Sequence, residues 1–302
     1  MYLMLSIIVI VIILFLGAFW LFKYALDNQF PGFGSKLPDK KNDYIERTGK
    51  MLKEGENFTY TVCEIQSFDG LKLKALYVEN AGHKYAILCH GFSNSPYEML
   101  TRALHFYRMG YSCLLPAARA HSFSEGRYRG MGWLERKDIC RWISFILEKD
   151  SEAEIVLYGI SMGAATVMMT AGEALPDNVK LIIEDCGYTS VWDQFSHVLK
   201  ILFHLPSFPL LNIANIFVRK LAKYDLHEAS CINQLKKNKL PILFLHGQKD
   251  TFVPFDHMDI LYKAANGIKE QHAFPDAGHG ASLYKHTELY WDIIDTFIEK
   301  YF

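Results

Sequence analysis

The segment Glu154-Ile155-Val156-Leu157-Tyr158-Gly159-Ile160-Ser161-Met162-Gly163-Ala164-Ala165 constrains this chain more than any other. An apolar run ends in G-x-S-x-G, and the small apolar residues that follow read as a helix. A strand that passes into a helix through so tight a turn is strained, and glycine is favoured where neighbouring backbone comes close. Ser161 then stands above the strand ends, over the positive end of the helix and its free N–H groups. Strand, turn and helix in that order form the setting of a nucleophilic serine, which G-x-S-x-G alone does not establish.

A serine hydroxyl is a poor nucleophile until a base takes its proton. Of the twelve histidines, His279 in Asp276-Ala277-Gly278-His279-Gly280 lies between the last expected strand and the final expected helix. A loop there can swing an imidazole back over the strand ends. The acid that orients the imidazole should lie between serine and histidine along the chain. Asp250, just past the apolar run 242–245, satisfies that order. Asp185, at the end of the preceding run, is the alternative acid, and Asp256 reads as a helix-start residue. The developing oxyanion needs two backbone donors. Met162 N–H follows the serine, and Phe92 N–H lies in the turn His90-Gly91-Phe92 after the run 85–89, where His90 reads as a brace.

Short apolar runs alternate with helical patterns over most of the chain. Strands are expected at 60–66, 71–78, 85–89, 112–115, 154–157, 181–184, 242–245 and 270–274, the first two as a hairpin about Asp69-Gly70. Helices are expected at 97–109, 132–149, 162–175, 255–265 and 283–300. The fold class is therefore α/β, a mostly parallel central sheet with helices on both faces. Roughly fifty residues, 189–239, separate two strands, too many for a crossover with one helix. They are rich in Phe, Leu and Ile and are expected to form a helical cap, most of whose side chains pack it onto the core while some, with Phe203 and Phe208 as candidates, line a cavity over Ser161.

Ahead of this domain, Tyr2 to Phe22 carry no charge and are mostly Leu, Ile, Val and Phe. Such a helix spans a bilayer core of about 30 Å. A cleaved signal peptide is the rival, but the run lacks a basic leader and a good cleavage site. The expected organisation is a transmembrane helix at 1–23, a linker at 24–56, and a catalytic domain at 57–302 with the cap inserted at 189–239. Deleting the chain through about residue 30 should then release a soluble, active domain. Lys23, Lys36, Lys40 and Lys41 follow the span, which places the domain in the cytoplasm by the positive-inside rule. Six scattered cysteines without C-x-x-C spacing read as buried thiols, in keeping with a reducing compartment. The net charge of -1 gives no nucleic-acid footprint, and no Cys/His cluster has zinc spacing.

On these motifs, from about residue 64 onward, the chain resembles the α/β-hydrolase superfamily. Within it, the chain resembles the serine-aminopeptidase-type group, which includes monoacylglycerol-lipase-like and Bem46-like enzymes, and membrane-anchored bacterial members most of all. The resemblance rests on His90-Gly91-Phe92, residues 119–126, Gly159 through Gly163, Lys249-Asp250 through Pro254, and Gly278-His279. One segment departs from it. Where the superfamily often has D-x-R-G-x-G-x-S, this chain has Ala117, Arg119, Ala120 and Ser122. Arg119 and His121 are expected to brace the loops, with recognition of a polar substrate group as the alternative. The resemblance implies acyl transfer to water with no cofactor and no metal. A small or medium carboxylic ester is the expected substrate, with peptidase or thioesterase activity second. A membrane-tethered binding module without catalysis is the reading from another class, and fluorophosphonate labelling separates it from an enzyme. Oligomeric state is left open.

Overall fold

The computed structural model describes residues 2–32 and 40–302. Eight strands form one sheet: β1 (Thr61–Gln66), β2 (Lys72–Val78), β3 (Lys84–Cys89), β4 (Ser112–Pro116), β5 (Glu154–Ile160), β6 (Val179–Asp185), β7 (Ile242–Gly247) and β8 (Lys269–Phe274). Their spatial order is β1-β2-β4-β3-β5-β6-β7-β8. The β1–β2 and β2–β4 pairs are antiparallel and the rest parallel. The helices are α1 (Tyr2–Leu26), α2 (Lys41–Met51), α3 (Leu100–Arg108), α4 (Glu135–Lys149), α5 (Met162–Thr170), α6 (Val191–Phe203), α7 (Leu210–Phe217), α8 (Cys231–Leu235), α9 (Asp256–Ala264), α10 (Ser282–Lys285) and α11 (Thr287–Tyr301).

The central strands are buried on both faces, so their sequences are continuous apolar runs. Alternate residues still point to opposite sides. From β3, Tyr85, Ile87 and Cys89 join one core with side chains of α4, α5, α8 and α9, while Ala86 and Leu88 join another with α3 and α11. Parallel pairing aligns the C-terminal ends of β3, β5, β6, β7 and β8 along one edge. The loops that leave that edge carry every candidate site residue.

Several elements differ from the sequence expectation. The helix expected at 162–175 ends at Thr170, close to Gly172 and Pro176. The one expected at 283–300 is broken at His286, whose side chain turns to Asp276. The one expected at 97–109 opens with a 3-10 turn, Pro96–Met99. Of the stretch 24–56 read as a linker, residues 33–39 lie outside the described residues. Residues 41–51 form α2, which packs on α3 through buried Tyr44 and Thr48.

The interval 189–239 holds α6, α7, a single π turn (Val218–Ala222) and α8. Ser190 caps α6 by accepting the Asp193 N–H at 3.0 Å. α7 packs along α1, with Phe217 against Phe15, Phe19 and Phe22. Ala18, Phe22 and Leu26 are buried in this contact, whereas nearly all of residues 2–16 are exposed. The end of α1 is also tied to the loop before α4. Arg129 N–H donates to Leu26 O at 3.0 Å, and Arg127 pairs with Asp27 at 3.2 Å. The expected separable boundary near residue 30 is therefore revised, because the last turns of α1 belong to the core of the domain. Phe22 is 2% exposed and Ile10 56%. Phe22→Ala should cost about 3–5 kcal/mol and lower the melting temperature in detergent, whereas Ile10→Ala should leave it unchanged. Equal melting of both variants would show that the helix is only a tether.

Candidate active site

Ser161 sits between β5 and α5 with φ 55° and ψ -114°. For a non-glycine residue that conformation costs on the order of 1–3 kcal/mol and persists only where the surroundings enforce it. They do so here through two contacts. A Cβ at Gly159 would collide with the carbonyl of Gly163, and a Cβ at Gly163 with the carbonyl of Cys89. Ser161 N–H donates to Asp185 O at 2.8 Å, and its own carbonyl accepts from Ala165 N–H at 3.0 Å. The side chain is thus fixed at the strand edge before any partner acts on it.

The loop after β8 brings His279 over this edge, and the loop after β7 brings Asp250. Ser161 Oγ–H donates to His279 Nε2 at 2.9 Å, and His279 Nδ1–H donates to Asp250 Oδ2 at 2.7 Å. Asp250 Oδ1 accepts the N–H groups of Phe252 and Val253, both at 2.9 Å. A second histidine, His246 at the end of β7, lies 3.3 Å from Asp250 Oδ2 and bonds Val253 O at 3.1 Å. Burial by itself raises a carboxyl pKa. The bonds from His246, His279 and Val253 outweigh it and hold Asp250 well below the usual carboxylate range. Asp250 therefore stays ionised.

Asp185 is placed differently. Burial pushes its pKa up. Its Oδ2 accepts from Tyr290 Oη–H at 2.8 Å and lies 3.9 Å from Arg102 Nη2. These contacts turn its carboxyl toward α3 and α11. The geometry joins Asp250, not Asp185, to the imidazole.

Met162 opens α5, so its N–H has no acceptor within the helix. Phe92, Ser161 and Met162 line one cavity. The turn that carries Phe92 is held from two sides. Glu98 accepts Gly91 N–H at 2.9 Å, and His90 links both loops by donating Nδ1–H to Gly91 O at 2.8 Å and accepting Ala118 N–H at Nε2, 3.1 Å. Burial pushes the His90 pKa down to about 4, which keeps that tautomer neutral. Neither Glu98 nor His246 was singled out by the sequence. His246 lies four residues before Asp250, at the end of an apolar strand, and that position is the one available signal.

The departing loop keeps its shape without glycine. Ala120 and Ser122 adopt φ 58° and 49°, the left-handed region in which glycine would be relaxed. Arg119 grips Asp138 through two bonds of 2.7 Å and Asp69 through bonds of 2.8 and 3.0 Å. His121 donates Nδ1–H to Arg119 O at 2.8 Å and is buried beside His90. Both side chains are engaged in holding the loop.

The cavity over Ser161 has a volume of about 100 Å³ and an almost wholly apolar wall. One water needs about 10–15 Å³ on this measure. Cap residues Phe195, Phe203 and Leu211 line it, as do Leu21, Phe22 and Ala25 of α1. Phe208, expected to line it, is instead 75% exposed on the outer face of the cap. Among the described residues, Cys186, Asp250 and His279 are the metal-binding side chains close enough to share an ion. Burial drives the Cys186 thiol pKa well up, and the facing atoms of Asp250 and His279 already bond each other, so the trio is poorly suited to a cation.

The fold superposes on the Pyrococcus furiosus esterase Pf2001 with a TM-score of 0.66 at 23% identity, covering 81% of this chain and 93% of that one. The uncharacterized membrane protein YNL320W of Saccharomyces cerevisiae is 28% identical over 82% of this chain and 83% of its own length. Protein bem46 of Schizosaccharomyces pombe is 29% identical over 50% of this chain and 45% of its own. The prolyl oligopeptidase family model matches residues 117–302, more than half of the chain. With its eight-stranded sheet and the Ser161 turn at the strand edge, this chain belongs to the prolyl oligopeptidase family of α/β-hydrolases.

Proposed function

We propose that the chain is a serine hydrolase that cleaves a carboxylic ester through an acyl-enzyme on Ser161. The observation that carries this reading is the unbroken hydrogen-bond relay Asp250–His279–Ser161 ending in an apolar cavity. His279 Nε2 takes the Ser161 proton as Oγ attacks the ester carbonyl. Ionised Asp250 stabilises the imidazolium that forms. Met162 N–H and Phe92 N–H hold the oxyanion, and losing one such donor costs roughly a hundredfold to a thousandfold in rate. The imidazolium then protonates the departing alcohol. Water, deprotonated in turn by His279, releases the acid and restores Ser161.

The family name raises a peptide substrate, but the cavity wall disfavours one. Peptide N–H and C=O groups would enter a space with few polar partners, and each unpaired group costs on the order of 1–3 kcal/mol. An apolar acyl group meets no such penalty. Ser161→Ala should abolish turnover of p-nitrophenyl acetate, and Asp250→Asn should lower kcat by up to about ten-thousandfold by favouring the wrong imidazole tautomer. Asp185→Asn should cost far less. The reverse ranking with both variants folded would move the orienting acid to Asp185.

The fifteen or so exposed apolar residues that open α1 are far more than water tolerates on a helix. An 18-residue window of α1 has a mean hydropathy of 3.0, which suits a segment seated in a bilayer. Lys23, Lys40 and Lys41 beyond it favour a cytoplasmic domain. Protease added to intact cells should leave the domain whole, and digestion from outside would reverse the orientation.

A further inference from the structure

α1 does more than tether the domain. Leu21, Phe22 and Ala25 form one wall of the cavity that begins at Ser161, and Phe203 and Leu211 of the cap face them. Trp20 and Tyr24 pack edge-on against Phe203, closing the seam between helix and cap. Only a few residues before that wall, α1 becomes largely exposed and apolar: Leu16 is 62% exposed. At about 1.5 Å per residue, Leu16 and Leu21 are roughly 8 Å apart along the axis. A bilayer that covers the exposed part of α1 therefore ends beside the cavity.

A second observation, independent of the cavity, concerns the outer surface of the cap. Leu202, Leu205, Phe208, Ile216 and Leu221 are exposed on or beside α6 and α7, the elements next to α1. Exposed Lys200, Arg219, Lys220 and Lys223 lie among them in the chain. Apolar side chains interleaved with long cations suit a surface seated in the headgroup layer, where the cations meet lipid phosphates and the apolar groups meet acyl chains.

We infer that the cavity is an acyl-chain site loaded from the bilayer through the seam between α1 and the cap, and that the substrate is a long-chain acyl ester resident in the membrane. This rests on the ester-hydrolase reading and deepens it. An acyl chain that slides from lipid into an apolar cavity never exposes its methylenes to water, whereas a route through the aqueous face exposes all of them. The anchor then serves as part of the substrate site. The chemistry is unchanged: Ser161 Oγ bonds the acyl carbon, and the lipid alcohol leaves with the proton from His279.

The test uses the full chain in vesicles of phosphatidylcholine and phosphatidylglycerol. A hexadecyl fluorophosphonate with a terminal diazirine is bound to Ser161, irradiated, and its adducts mapped by mass spectrometry. Adducts on the 21–26 segment of α1 and on the facing cap helices are expected. Labelled Ser161 with adducts confined to the strand-end loops would overturn the inference and leave the hydrolase reading intact. Unlabelled Ser161 would overturn both. In parallel, Ala25→Trp fills the cavity from the α1 side. It should lower the ratio of 4-methylumbelliferyl palmitate to acetate hydrolysis at least about tenfold, while Ile10→Trp on the lipid face keeps the wild-type ratio. An unaltered ratio in a folded Ala25→Trp chain would also overturn the inference.

Discussion

The close approach of α5 to the ends of β3 and β5 is the constraint on which the rest of the site depends. Gly163 lies against the Cys89 carbonyl and Gly159 against Gly163, and any side chain at either position would push the elements apart. That contact forces Ser161 into a left-handed conformation and stores strain in the turn. It also seats the start of α5 against the β3 loop, so Met162 and Phe92 share one cavity with the hydroxyl. The Ser161 hydroxyl and both candidate oxyanion donors thus derive their placement from a single packing event.

Buried carboxyl groups do the remaining positioning in four of the loops at the same edge. Glu98 accepts from Gly91, Glu135 from Gly130 and Gly132, Glu184 from Gly187, and Asp250 from Phe252 and Val253. Charge distinguishes them. Burial raises the pKa of Glu98 and Glu135 and pushes Glu184 up to about 8, so these three drift toward the neutral form. Asp250 alone among the four is held low, because two imidazoles and backbone N–H groups converge on it. Its environment suits it to stabilising a transient imidazolium.

The sheet, the tight turn at Ser161 and the loops of Asp250 and His279 were legible because each is written locally. Continuous apolar runs mark buried parallel strands, and glycines mark the tight turn. What the sequence left dark is contact between distant segments. Glu98 and His246 act through partners whose proximity only the fold supplies. Ala120 and Ser122 stand where glycine would be relaxed, yet the anchoring of Arg119 by Asp69 and Asp138 keeps the loop in that shape. The role of α1 was hidden for a related reason. Its apolar run reads alike whether it faces lipid or protein, so composition could not show that Phe22 and Leu26 belong to the domain core while Ile10 does not. Phe208 and Phe203 pose the same ambiguity five residues apart.

The central claim is that Ser161 carries the acyl group during turnover. Rapid acid quench of the full chain during hydrolysis of p-nitrophenyl butyrate, followed by peptide mass spectrometry, tests it directly. A butyryl increment on the peptide containing Ser161, accumulating when water attack is slower than acylation and enhanced by slowing deacylation at low pH, is the result this account predicts. Hydrolysis that proceeds with the acyl group on another residue, or that persists at the wild-type rate in Ser161→Ala, would contradict it.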